Sequence, residues 1–273
     1  MTNPITNETH PPMLQVSNLT KTFAGVTAVD DVSFDVLPGS IVGLIGPNGS
    51  GKSTTIDCLT GFARPDGGRV SFDGREVTGW RPEQLAAGGM VRTFQNVRIY
   101  EGMSVTDNLV VAARSLRRFT WVEQVLKLPY VTQHEAELRD EALSHLTLVG
   151  IEKYADAPAG ILSYGQRKLV AFAMCLMGRP RLIILDEPLA GVNPTVIRRI
   201  SELIDTLNAQ GQTFLLIEHN VDFIMRHCGK VIVLEQGRLL TEGPPDVIRN
   251  DPRVLEAYLG NYAEYAEEEA LHV

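Results

Sequence analysis

Gly46-Pro47-Asn48-Gly49-Ser50-Gly51-Lys52-Ser53 follows the apolar run Ile41-Val42-Gly43-Leu44-Ile45, which has the composition of a buried strand. Strand, glycine-rich loop and helix start together read as a phosphate-binding loop. Its glycines let the backbone turn N–H groups inward around a chain of phosphates, Lys52 reaches the β- and γ-phosphates, and Ser53 offers a hydroxyl to Mg²⁺. An ordinary strand-to-helix turn would explain the glycines but gives no reason for Lys-Ser at that spacing. The candidate nucleotide contacts are therefore Gly46, Pro47, Asn48, Gly49, Ser50, Gly51, Lys52, Ser53 and Thr54. The ligand class is a nucleoside triphosphate with magnesium.

Composition narrows the remaining possibilities. With 273 residues and 44% hydrophobic side chains, the chain can build one large domain or two modest ones. Its 33 acidic residues against 25 basic ones give a formal net charge of −8. That balance offers little cationic surface, so nucleic acid is not an expected ligand. Cys58, Cys175 and Cys228 lie far apart without metal-type spacing and read as reduced, buried thiols. Met1 to Pro12 is polar, without a basic start or an apolar core, so no secretory signal is expected and the chain should stay in the cytosol. The longest apolar stretch, Leu169 to Gly178, is about half the ~20 residues that a helix needs to cross a bilayer. Any membrane role would run through a partner.

Along the chain, β-rich runs such as Val32-Ser33-Phe34-Asp35-Val36 alternate with turn signals at Pro38-Gly39 and Asp66-Gly67-Gly68. The first helix is predicted to begin near Lys52 and stop by Gly61, its N-terminal dipole aimed at the phosphates. From Ser104, the predicted cap, to about Gly178 the patterning is helical and includes a charged amphipathic stretch from Gln133 to Val149. Arg181 to Leu185 and Thr213 to Ile217 read as short buried strands around a helix from Pro194 to Ala209, which predicts a parallel crossover. Lys230 to Glu242 reads as a hairpin around Gln236-Gly237, and Val254 to Leu259 as a short closing helix.

A second constellation is Arg181-Leu182-Ile183-Ile184-Leu185-Asp186-Glu187-Pro188. It sets two carboxylates directly after a strand, where α/β sheets display ligand-binding residues. Asp186 suits the Mg²⁺ shell, and Glu187 is placed to polarise a water for in-line attack on the γ-phosphate. A solvated acidic pair would be the reading without the phosphate loop. Leu162-Ser163-Tyr164-Gly165-Gln166 opens a further helix, with Ser163 as its cap.

The order of these motifs, from about Leu14 to Gly260, resembles an ATP-binding-cassette ATPase subunit. The resemblance implies an α/β fold: a P-loop NTPase core with a mainly parallel sheet, an N-terminal antiparallel β subdomain and an inserted α-helical subdomain. On that plan residues 1–12 are an N-terminal extension and 13–260 a single domain. Its core is 13–95 with 179–260, its helical subdomain about 96–178, and 261–273 is an acidic tail. The resemblance also implies that Phe23 stacks on adenine, that Gln95 links metal and attacking water to the helical subdomain, and that His219 contacts the γ-phosphate and supports Glu187. Ser163, Gly165 and Gln166 would complete the site of a second subunit's ATP. The implied cofactors are ATP and Mg²⁺, the metal held by Ser53, Gln95 and Asp186.

Two departures from the common pattern, Tyr164 for glycine and Asn193 for aspartate, resemble the branch that imports branched-chain amino acids. That branch implies a second ATPase subunit (heterodimer favoured, homodimer possible), permease subunits docking near Arg98 and Tyr100, and indirectly a solute-binding protein. It places the chain on the cytoplasmic face of the membrane. Urea or amide import and lipopolysaccharide export are the transport alternatives, and a soluble cassette ATPase the alternative of another class. The chain lacks the second cassette or long coiled-coil insertion usual in the last of these.

Overall fold

The computed structural model describes residues 11–93, 99–113 and 129–258. Its centre is a six-stranded sheet in the order β10-β9-β3-β8-β7-β6. The strands are β3 (Ile41–Ile45), β6 (Met90–Arg92), β7 (Leu182–Asp186), β8 (Thr213–Ile217), β9 (Lys230–Glu235) and β10 (Arg238–Gly243). All neighbours are parallel except the β9–β10 hairpin. A four-stranded antiparallel sheet in the order β2-β1-β4-β5 is built from β1 (Leu14–Phe23), β2 (Val26–Val36), β4 (Gly67–Phe72) and β5 (Arg75–Glu76).

The central strands are buried on both faces, so they read as continuous apolar runs and their two-residue period sorts side chains between two cores. Ile41, Ile45, Ile183, Leu185, Phe214 and Leu216 face a helical layer. That layer holds α3 (Val105–Ala112), α4 (Pro129–Val149), α5 (Tyr164–Leu176) and α6 (Pro194–Ala209). Val42, Leu44, Leu182, Ile184, Leu215 and Ile217 face the opposite way, against the antiparallel sheet and α1 (Lys52–Leu59). Ser104 caps α3 by accepting from Asp107 N at 3.0 Å, a bond type worth about 1 kcal/mol.

Several predicted boundaries shift. Gly67-Gly68 is not a turn but the start of β4, where β1 and β4 slip register between Ser17 and Thr20. Gly68 takes φ +85° there, and a Cβ would lie 2.4 Å from Asn18 O, so glycine serves a bulge. Asp186 is the last residue of β7 rather than the first beyond it. The closing helix starts at residue 252, two residues before the predicted Val254, and runs through 258; the predicted end, Leu259, lies outside the described residues. The hairpin turn stands at Gln236-Gly237 with φ of 45° and 81°, the doubly positive pair of a two-residue I′ loop. Helices α2 (Pro82–Gly88), α7 (Val221–His227) and α8 (Pro245–Arg249) have no periodic sequence signal, because seven or five residues are too few to display a helical period.

Candidate active site

The parallel order sends the C-terminal ends of β3, β8, β7 and β6 to one edge of the sheet, where ligand sites of α/β folds form. The phosphate loop leaves β3 at that edge, wedged between backbone on two sides. A Cβ on Gly46 would lie 2.2 Å from Leu234 O, and one on Gly51, at φ +93°, 2.5 Å from Ala28 O. The hairpin turn braces the loop: Gly237 N donates to Ser50 O at 3.2 Å, and Asp30 N donates to Gly237 O at 2.7 Å. The C-terminal end of the described chain reaches the loop as well. Burial pushes the Tyr258 phenol up to about 12, and the nearby Gly46 backbone opposes that shift.

No side chain caps the start of α1, so its first amides remain available to an anion. Lys52 is buried, and its Nζ donates to Gly46 O at 2.7 Å and Pro47 O at 2.8 Å. Desolvation lowers the lysine below its ordinary range, and the Glu187 carboxylate opposes that shift. Ser53, Asn48 and Gly49 are exposed, while Thr54 is half-buried.

Glu187 stands opposite. It takes φ 47°, a left-handed conformation uncommon outside glycine and costly enough to need support. Three bonds from neighbouring elements give that support. Glu187 N donates to Ile217 O at 2.9 Å, Lys168 Nζ donates to Glu187 O at 2.8 Å, and the carboxylate Oε1 lies 2.9 Å from His219 Nε2. Glu218 is buried; its Oε1 accepts from Leu189 N at 2.7 Å and its Oε2 from His219 N at 3.2 Å. It braces the backbone on both sides of the Glu187–His219 pair. Burial raises the Glu218 carboxyl above the ordinary range against these backbone bonds.

The start of α5 carries a reciprocal capping box: Gln166 N donates to Ser163 Oγ at 3.3 Å and Ser163 N donates to Gln166 Oε1 at 2.9 Å. Gly165 packs on α6, since a Cβ would come 2.8 Å from Val196 Cγ2. Tyr164 and Asn193, the two departures, are both exposed, and the turn leading to Asn193 passes the Tyr164 ring. A Cβ on Gly191 would lie 3.2 Å from Tyr164 Cε1, and two residues on, Asn193 caps α6 by accepting from Val196 N at 3.0 Å. Phe23, at the end of β1, is 50% exposed, which rules out a core position, and Lys21 Nζ sits 5.0 Å from its ring centroid. Tyr100 is exposed. Gln95 and Arg98 lie outside the described residues.

Glu218, Arg92 and Lys168 support the site although none of them belongs to a sequence motif. The signal for Lys168 was an amine on an otherwise apolar helix face beside Leu169, Val170 and Phe172. It donates also to Pro188 O at 3.3 Å, so the helical layer holds the Glu187 backbone directly. Lys168→Met would leave two carbonyls without that donor while relieving the burial of an amine. The expected net loss is about 2 kcal/mol, read as a fall in Tm of roughly 4 °C. An unchanged Tm would show that these bonds add nothing to stability.

Ser53 and Asp186 supply hydroxyl and carboxylate oxygens, the hard donors that Mg²⁺ selects. Asp186 Oδ2 is engaged by Arg92 Nη2 at 2.7 Å, whereas Oδ1 makes no hydrogen bond among the described residues, so the donor set fits the ion.

A family model described as ABC transporter matches residues 29–190, more than half of the chain. The chain belongs to the ABC transporter family. As an ABC ATPase it binds and hydrolyses ATP. A second family model, described as branched-chain amino acid ATP-binding cassette transporter, matches residues 238–264, the segment that carries Tyr258 to the phosphate loop. This ABC protein is 40% identical over 250 residues to the high-affinity branched-chain amino acid transport ATP-binding protein BraF of Pseudomonas aeruginosa, covering 91% of this chain and 98% of BraF. It is 39% identical over 250 residues to LivG of Escherichia coli, with the same coverage. Among solved structures, the ADP conformation of the ABC transporter cassette MJ1267 superposes with a TM-score of 0.80 at 34% identity, covering 92% of this chain and 100% of that one. Among the described residues no helix is long and apolar enough to cross a membrane.

Proposed function

We propose that this chain is the ATP-hydrolysing subunit of an importer of branched-chain or related amino acids. The single observation that carries this reading is the 40% identity to BraF across 91% of the chain. Its match to the C-terminal model of that branch at 238–264 and the residues Tyr164 and Asn193 point the same way. Partners follow from the same kinship: a second ATPase subunit, with a heterodimer favoured, permease subunits near Arg98 and Tyr100, and indirectly a solute-binding protein. The chain would then sit peripherally on the cytoplasmic face.

Within the site, the loop amides and Lys52 hold the β- and γ-phosphates, and Phe23 offers a ring to adenine. Glu187 takes the proton of the attacking water, with His219 orienting the carboxylate. Ser53, Asp186 and Gln95 would hold Mg²⁺, which when bound neutralises phosphate charge. Ser163, Gly165 and Gln166, at a helix N-terminus, complete an anion site for ATP bound to the opposing subunit.

Uptake of radiolabelled leucine and urea by source cells carrying Glu187→Gln tests the solute class. Selective loss of leucine uptake is expected. Loss of urea uptake alone would move the assignment to amide import, and survival of both would overturn the importer reading in favour of export.

A further inference from the structure

Arg92 ends β6, one strand away from the Glu187 site, with its side chain 10% exposed. Its guanidinium spans two elements. Nη2 donates to Asp186 Oδ2 at 2.7 Å, while Nη1 donates to Asp57 Oδ1 at 2.6 Å and to Thr60 Oγ1 at 3.2 Å. Asp57 lies within α1 and Thr60 caps its end, the helix that starts with Lys52 and Ser53. The next residue adds a second grip, since Asp186 N donates to Thr93 Oγ1 at 3.2 Å and Thr93 N donates to Ile184 O at 2.9 Å. The Arg92 guanidinium carbon lies over the Phe62 ring, 5.8 Å from its centroid.

We infer that Arg92 is a positioning residue for the metal-side carboxylate, tying Asp186 to the helix that bears Lys52 and Ser53. The inference rests on the reading that Asp186 faces Mg²⁺. A carboxylate held by one oxygen cannot rotate freely, and the bond to Oδ2 leaves Oδ1 as the oxygen presented to a cation. The planar fork is what permits this bridge. Guanidinium nitrogens point at Asp186 and Asp57 in fixed directions, and a lysine ammonium has no such geometry. The same charge separates two carboxylates that would otherwise repel. Groups standing one shell behind a metal ligand typically affect metal affinity by 10–100-fold.

The test is a Mg²⁺ titration of the full-length chain with a fluorescent, non-hydrolysable ATP analogue, compared with binding of the same analogue in EDTA. Arg92→Gln is expected to raise the half-saturating Mg²⁺ concentration by roughly tenfold, with affinity in EDTA unchanged. Arg92→Lys, which keeps the charge and loses the fork, is expected to fall between Arg92→Gln and wild type, and it serves as the readout where the glutamine variant does not fold. An unchanged or lowered Mg²⁺ requirement in these variants overturns the inference, a lowered one because Arg92 would then compete with the cation. Asp186→Asn, measured alongside, separates the two ideas. If it raises the Mg²⁺ requirement while the Arg92 variants do not, only the positioning role fails. If Asp186→Asn has no effect, the metal reading of Asp186 fails and the inference with it.

Discussion

Replacing Glu187 with glutamine is expected to cut ATP turnover by roughly 10²–10⁴-fold, the range that a positioned general base supplies, while ATP still binds. The geometry makes this substitution informative. Glutamine keeps the Oε1 acceptor that lies 2.9 Å from His219 Nε2, and it fits the same backbone at φ 47°. The bonds holding that backbone come from Lys168 and from the main chain at Ile217, so they do not depend on the side chain. What disappears is the basicity that accepts a proton from water. Binding should be retained because the phosphate contacts assigned to the loop and Lys52 are untouched.

Two measurements check this. Steady-state phosphate release gives the turnover, and size-exclusion chromatography with ATP reports whether a closed dimer persists when the triphosphate cannot be cleaved. Wild-type-like turnover would remove Glu187 from the base role. A variant that neither turns over nor binds ATP would instead place Glu187 in the binding site itself. His219 deserves the same experiment, since its ring meets the carboxylate and its backbone N–H is held by Glu218 Oε2 at 3.2 Å.

The parts of this site that sequence reveals are those encoded locally. Gly46 to Ser53 announces itself because a loop that packs backbone against Leu234 O and Ala28 O requires glycine at Gly46 and Gly51, and Lys52 follows at the spacing of the phosphate-loop pattern. β3, β7 and β8 are legible because strands buried on both faces must be apolar throughout. Capping side chains at Ser104 and Ser163 act within three residues and leave equally plain marks. The supports behind the site are different in kind. Arg92 finds Asp186 across 94 residues and Asp57 across 35, and nothing in the neighbourhood of Arg92 records either partner. The insertion of β8 between β3 and β7 is likewise a product of long-range pairing. Gly67-Gly68 misleads for a related reason, because a bulge inside a strand and a turn between strands both ask for positive φ.

Lys52→Ala is expected to weaken ATP binding by at least about 100-fold, because deleting one partner of a buried charge pair costs roughly 3–5 kcal/mol and 1.4 kcal/mol is a factor of ten. Lys52 Nζ bonds the carbonyls of Gly46 and Pro47 at 2.7 and 2.8 Å, so the ammonium already stands at the centre of the loop. A phosphate chain arriving over the loop meets a desolvated cation, which attracts it more strongly than a hydrated one would. The same desolvation separates the binding effect from the folding effect. Burial lowers the Lys52 pKa, so the buried amine costs the ligand-free protein something, and its removal offsets part of the three bonds lost to Gly46 O, Pro47 O and Ser50 Oγ. Stability without nucleotide should therefore fall by no more than about 2 kcal/mol, the loss expected for the comparably placed Lys168 amine. The stabilisation that ATP confers, about 2.7 kcal/mol at a concentration 100 times the wild-type Kd, should nearly vanish at that same concentration. Calorimetric titration reads the first quantity and thermal denaturation with and without ATP reads the other two. Unchanged ATP affinity would contradict the phosphate role of Lys52. A large loss of stability in the ligand-free variant would mean instead that its bonds to Gly46 and Pro47 chiefly hold the loop together.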